Sequence, residues 1–384
     1  MTMTRGAIVL LAAAAALVQL ERRAAACGGF FTEVSSSSVA TMSDIRVLFV
    51  SQPGHVDQYV QIGYSGSATR FAWVYPVPGN PDVAEVKDSP FARLEEHTRP
   101  KITIYTHHGS DGGGGCAGFG CGGDAALGGD GTREAPPAVR VWQTGQVGAF
   151  DYAVITATNV SDMLGWLSSN GFAVSSKANE LFAHYIAQQW FFVAMKVSVT
   201  RPQAEVPSTT VVRFGYTASE VRYPLRMVSL SPAALTSLEI YILSTEPLSP
   251  AAPFNAVQID PETLVATSPT THNYDEAFAA TLEAGGLRAL VREYNTRVDA
   301  SVAVSLVGAL SLGSSPVLTR LRTRWSADAM DQDLLFVPDA APFTVVPDYH
   351  LNYQPAEMAS FPPVLAAAAA LWLLRSLLRR RSAR

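Results

Sequence analysis

The chain has 384 residues, 48% of them hydrophobic, with a formal net charge of −5. That length buries one large core or two modest ones. The mild acidity argues against nucleic acid as a partner, because neutralising phosphates needs a basic face.

Residues 1–26 read as an export signal. Arg5 supplies the positive start, residues 7–18 the apolar segment, and Ala24, Ala25 and Ala26 a small-residue cleavage site. Glu21, Arg22 and Arg23 put unusual charge before that site, and an uncleaved N-terminal anchor is the alternative. Cys27 would open the mature chain. A lipid-modified cysteine usually follows a leucine three residues earlier, where Ala24 stands here.

Residues 27–355 form the expected exported body. Residues 44–50 read as a strand. Residues 60–78 then predict a β-hairpin, with Val60, Ile62 and Tyr64 on one face of the first strand and Phe71, Trp73 and Tyr75 on one face of the second. Ser65, Gly66, Ser67 and Ala68 suit the turn, and Pro76 and Pro78 should end the ladder. Residues 212–224 repeat the Gly-Tyr pair, small turn, second strand and proline. Both stretches lead to a Ser-Pro helix start, at Ser89 and Ser231, and then to a strand, at 101–106 and 238–243. Duplicated halves and chance similarity both account for this.

Residues 107–131 are dominated by glycine and hold Cys116 and Cys121. So few apolar groups cannot offset ordering entropy, which predicts a loop. Strand returns at 139–141 and 152–157. Residues 158–170 predict a helix capped by Asn159 or Ser161 and stopped at Gly171, and residues 177–189 a second. Residues 190–199 are apolar enough for an interior strand. Residues 247–253 read as a proline-rich connection. Asn273 and Glu276 resemble a capping box, with Leu287, Leu290, Val291 and Tyr294 resuming a helical stripe beyond Gly285 and Gly286. Arg320, Arg322 and Arg324 alternate along residues 316–325, with Asp328, Asp331 and Asp333 close behind.

Residues 349–357 look like a tether to a second apolar segment. The uninterrupted run 364–374 covers only about half of a ~30 Å hydrocarbon layer at ~1.5 Å per helical residue. Residues 361–378 come close to a full span, with Arg375 snorkelling to the interface. Residues 379–384, with Arg379, Arg380, Arg381 and Arg384, form a basic cytoplasmic tail. The expectation is a C-terminal transmembrane helix; an amphipathic or buried tail helix is the alternative.

Several residue words together point to a family. Residues 26–31 (Ala-Cys-Gly-Gly-Phe-Phe), 71–78 (Phe-Ala-Trp-Val-Tyr-Pro-Val-Pro) and 185–196 resemble the bacterial exported family called domain of unknown function 2330, as do Trp166, Leu167 and residues 318–323. The resemblance covers most of the mature chain. It implies an envelope or secreted protein and supplies no catalytic residues.

Chemistry-bearing residues are few. In an oxidising compartment Cys116 and Cys121 are expected to join, although Cys27 could pair with either. His107 and His108 with Cys116 and Cys121 form a possible zinc set at a spacing that matches no strong motif. Residues 118–123 match G-x-G-x-x-G without the following helix that a dinucleotide site needs. There is no G-x-S-x-G elbow, H-E-x-x-H pair or phosphate-binding P-loop motif. His184 reads as a solvated surface histidine, on the polar helix face with Lys177, Glu180 and Gln188. The three arginines could hold an anionic glycan or lipid, but pairing with Asp328, Asp331 or Asp333 is the expected use. Those aspartates lack the glycine and terminal glutamate of a calcium loop. Phe71, Trp73 and Tyr75 are expected in the core rather than as a sugar platform.

The expected fold is α+β, with antiparallel β-hairpins in two halves alike through duplication or chance, packed helices and a C-terminal transmembrane helix. The expected function is a non-enzymatic binding or structural module of the cell envelope. Its expected partners are the membrane and an envelope ligand or protein; no cofactor and no catalytic residue is expected. The alternative is an exported enzyme or metal-dependent protein using the Cys116/Cys121 loop.

Overall fold

A computed structural model describes residues 30–32, 44–63, 71–106, 139–172, 177–197, 209–230, 235–308, 311–340 and 344–353. The export signal 1–26, the loop 107–131 with His107, His108, Cys116 and Cys121, the segment 361–378 and the tail 379–384 lie outside the described residues, as does Cys27. Among the described residues no helix is long and apolar enough to cross a membrane.

In chain order the first strands are β1 (Phe30–Thr32), β2 (Asp44–Gln52), β3 (His55–Gly63), β4 (Phe71–Val77) and β5 (Asp82–Glu85). Helix α1 (Phe91–Thr98) leads to β6 (Lys101–Tyr105), then β7 (Val139–Val147) and β8 (Phe150–Ala157). Helices α2 (Val160–Ser169) and α3 (Ala178–Ala187) precede β9 (Phe191–Val197), β10 (Thr209–Thr217), β11 (Val221–Tyr223), α4 (Leu225–Val228) and β12 (Thr236–Ser244). The rest is β13 (Leu248–Pro250), β14 (Asn255–Val257), α5 (Tyr274–Gly285), β15 (Ala289–Arg297), α6 (Ala300–Val307), β16 (Val317–Trp325), β17 (Leu334–Pro338) and β18 (Asp348–Asn352). The chain divides into two units, one of residues 1–100, 125–259 and 278–347, the other of residues 101–124, 260–277 and 348–384.

The larger unit contains an eight-stranded sheet, β14-β15-β16-β12-β2-β3-β10-β5, and a five-stranded sheet, β1-β4-β9-β8-β7. Most neighbours are antiparallel; β12–β2 and β14–β15 are parallel. The inner faces of the two sheets share one core. Val47, Phe49, Val60, Phe214 and Ile240 meet Trp73, Tyr75, Val154, Val193 and Met195 there, and β11, β17 and β13 contribute Tyr223, Phe336 and Leu248. Helices α2 and α3 cover the outer face of the five-stranded sheet through Met163, Leu167, Phe182 and Tyr185. Helices α1 and α6 cover the outer face of the eight-stranded sheet through Phe91, Leu94, Ala303 and Leu306. The order of layers is helices, sheet, sheet, helices, so each face of the two large sheets packs at least in part on an apolar partner.

The mixed α+β expectation holds, but the two predicted hairpins do not. β3 pairs with β2 and β10, whereas β4 enters the other sheet between β1 and β9. β10 pairs with β3 and β5, and β11 with β17. Val60 and Val212 face each other across β3 and β10, so the two similar stretches are neighbours in one sheet and not equivalent hairpins. Alternation sets which face a strand buries but not which strand lies beside it. Among the described residues the hairpins that form are β2–β3 and β7–β8. The latter turns at Gly148, whose φ of +56° suits the first central position of a type II′ turn. Residues 289–297 are strand, not a resumed helix, because Leu290 packs into the core between the two sheets.

In the smaller unit β6 and β18 form a two-stranded parallel sheet, from Lys101 opposite Asp348 to Tyr105 opposite Asn352. The predicted tether therefore begins as a strand. Tyr105 stacks on His350 at 5.7 Å, and its hydroxyl lies 3.0 Å from Nδ1. Asn273 precedes α5, but its side chain bonds Val265 N (2.7 Å) and Thr263 O (2.9 Å) instead of closing a capping box.

Candidate functional site

The outer face of the five-stranded sheet is only partly covered by its helices. Beyond α2 a cavity of about 530 Å³ remains, within the usual size of small-molecule sites, roughly 300–1,000 Å³. Its floor is two cross-strand rows beside Val141. Val141 opens an apolar row that Ile155 and Phe192 continue beneath the helices. Thr144, Ala153 and Ala194 form a row of small residues, and Gln146, Asp151 and Lys196 a polar row. The small row leaves the space and the polar row rims it.

Strand β7 reaches this arrangement through an irregularity. The register shifts between Val141 and Gln143, so Val141 and Thr144 share a face although they are three residues apart. The extra residue, Trp142, turns to the opposite face, where its indole N–H donates to Thr156 Oγ1 (2.9 Å), its ring lies 5.4 Å from Phe191, and the Arg140 guanidinium sits 3.5 Å above it.

Helix α2 supplies the wall. Asn159 caps it, its Oδ1 accepting from Asp162 N at 2.9 Å. Met163 and Leu167, four residues apart, bury one stripe. Trp166 and Asn170, again four apart, line the cavity. At the C-terminus Phe172 N donates to Leu167 O and Gly171 N to Ser168 O, both at 3.0 Å. This is a Schellman motif, and the φ of +86° at Gly171 is the left-handed position that it requires. The motif brings Phe172 back against Trp166, with ring centroids 6.2 Å apart.

In the polar row Gln146 Nε2 donates to Asp151 Oδ1 at 2.7 Å, which holds the carboxylate at the rim. Asp151 faces Lys196 across the β8–β9 ladder, and the Lys196 side chain is exposed. Tyr152, the next residue along β8, turns its side chain to the opposite face, into the core between the two sheets. Burial, and secondarily the Asp82 charge, raise its phenol above the ordinary value, and the Gln143 hydrogen bond opposes them.

The residues singled out in the sequence lie elsewhere. Trp73 and Tyr75 are core, with Tyr75 stacked on Phe214 at 5.3 Å. His184 is partly exposed, as a surface histidine, but its ring is engaged. Arg226 Nη1 donates to its Nδ1 at 2.7 Å, and Nε2 is 3.4 Å from Asp333 Oδ2. Asp333 Oδ1 also accepts from the Tyr185 hydroxyl (2.7 Å) and Arg226 N (3.1 Å). Burial first, and then Asp333, push the Tyr185 phenol well up. Both imidazole nitrogens are engaged, so the cluster ties α3 to the segment around α4.

The arginines of β16 do not pair with the nearby aspartates. Arg320 pairs with Glu239 and Glu293, and Arg322 with Glu293 at 2.8 Å. Glu239 also holds Arg46, which reaches Glu95 on α1 at 2.9 Å. Asp331 instead takes Arg288 at 2.7 Å. Burial opposes the charge on Arg320, but Tyr241, Glu293 and Glu239 together hold its pKa above the ordinary value. Arg322 and Arg324 lie over the Phe278 ring at 4.6 and 5.6 Å. Among the described residues no group of three or more His, Cys, Asp or Glu side chains is placed to hold a metal ion.

No curated protein matches the chain. Among solved structures, baculovirus P35 shares 11% identity at a TM-score of 0.30, over 78% of this chain and 91% of that one, too distant a likeness to carry an argument. A family model described as "Uncharacterized protein conserved in bacteria (DUF2330)" matches residues 22–337, and the chain belongs to that family.

Proposed function

We propose that the chain is a non-enzymatic binding module of the bacterial cell envelope, and that the cavity beside α2 is where it binds. One observation carries the binding reading. Small and charged residues floor the cavity beneath an aromatic wall of Trp166 and Phe172, and a mixed apolar and polar lining of this kind supports a small-molecule site. The envelope address rests on the sequence: an export signal over residues 1–26, an apolar segment over residues 361–378 and a basic tail over residues 379–384. The module is held at the membrane by its C-terminal segment, and Cys116 and Cys121 are joined to each other in the exported protein.

The binding test is a thermal-shift screen of the full chain against saccharides, amino acids, nucleotides and lipid headgroups. At least one class should raise the melting temperature of the wild type and not of Ala153→Leu, whose side chain fills the small row. A screen in which no class shifts the wild type, or in which the variant responds equally, removes the cavity as a binding site. The address is tested by fractionation: full-length protein in the soluble cytoplasm would refute it.

A further inference from the structure

We infer that the cavity beside α2 binds the pyranose ring of a neutral saccharide, an assignment that rests on its being a binding site at all. The aromatic wall comes first. Trp166 is half-buried, backed by Phe172 at 6.2 Å, and stands on a helix end fixed by two 3.0 Å hydrogen bonds. An indole held this way offers a flat apolar face at little ordering cost, and the C–H face of a sugar ring carries the partial positive charge that its π-cloud attracts.

The polar row comes second. A sugar presents hydroxyl groups around its rim, each both donor and acceptor. Asp151 is an acceptor already oriented by Gln146 at 2.7 Å, and Lys196 across the ladder is a donor. The two formal charges cancel, so the row attracts neither a polyanion nor a cation. A hydrocarbon chain would cover the Lys196 ammonium and offer it no acceptor, at a cost that polar burial imposes. The small residues Thr144, Ala153 and Ala194 fill the row next to the polar one and leave space above it.

The test is calorimetric titration of the full chain with maltotriose, cellotriose and chitotriose, with phenylalanine as a zwitterionic aromatic control. At least one trisaccharide should bind saturably, and Trp166→Ala should weaken it by about tenfold or more. Trp166→Phe keeps a ring and should bind more tightly than the alanine variant. It also covers the case in which Trp166→Ala fails to fold. Saturable heat from none of the three sugars overturns the assignment. So does a folded Trp166→Ala chain with unchanged affinity, or binding of phenylalanine alone. If the sugars fail but another class still shifts the melting temperature of the wild type and not of Ala153→Leu, only the saccharide assignment falls. If no class does, the binding reading falls with it.

Discussion

Glu293 shows how much a single side chain can organise. The β15–β16 register shifts between Arg292 and Tyr294, and Glu293, left without a ladder partner there, pairs with Arg320 and Arg322. Its side chain is fully buried, and two guanidinium groups converge on it. Removing one partner of a buried ion pair leaves the other uncompensated, which typically costs about 3–5 kcal/mol. Glu293→Gln is expected to lose stability on that order in urea unfolding, and an unchanged midpoint would deny the network its role. Tyr216 makes a second prediction. Burial, and then the Asp57 charge, push its phenol far above the ordinary value of 10.0. The folded state therefore keeps a proton that the unfolded chain releases near pH 10. Its contribution is complete below about pH 10 and falls as pH rises further. Tyr216→Phe should flatten that alkaline loss, read as unfolding midpoints across an alkaline pH series.

At the scale of one element, α2 joins local chemistry to the cavity. Its cap, its buried stripe and its glycine stop all act within fifteen residues, so they were readable in the sequence. The same Schellman motif that ends the helix also sets Phe172 against Trp166. Alanine at Gly171 would have to adopt a φ of +86°, at a cost of roughly 1–2 kcal/mol. Gly171→Ala is expected to lower stability by about that amount and to displace the wall, so a ligand that binds the cavity should bind the variant more weakly. A variant as stable as wild type would show that the helix end has another conformation open to it.

For the larger unit as a whole, the two sheets share one apolar core and neither has a separate one on its inner face. They should unfold together, with far-ultraviolet circular dichroism and tryptophan fluorescence giving coincident transitions. Ile240 is fully buried between the sheets, and Ile240→Ala should shift both probes by the same amount, about 2–5 kcal/mol. Two separated transitions would mean that the sheets are independent.

The sequence by itself determined the α+β class, the family, most strand and helix positions, a cap at Asn159 or Ser161 and the Gly171 stop; the structure chose Asn159. These depend on periodicity and short-range chemistry, which a single stretch of chain contains. It placed Trp73 and Tyr75 in the core because alternating aromatics bury one face. Only the tertiary structure decided which strands are neighbours, since β3 and β4 have similar patterns yet enter different sheets. It also decided the partners of Arg320 and Arg322, which come from β12 and β15, not from the aspartates nearby in sequence. The cavity could not be read from the sequence for the same reason. Its polar row joins Gln146, Asp151 and Lys196 through the registers of three strands, and the shift at Trp142 breaks the alternation that would have shown β7's inward face. Residues distant along the chain are brought together by sheet register, and register is set by packing against the whole core.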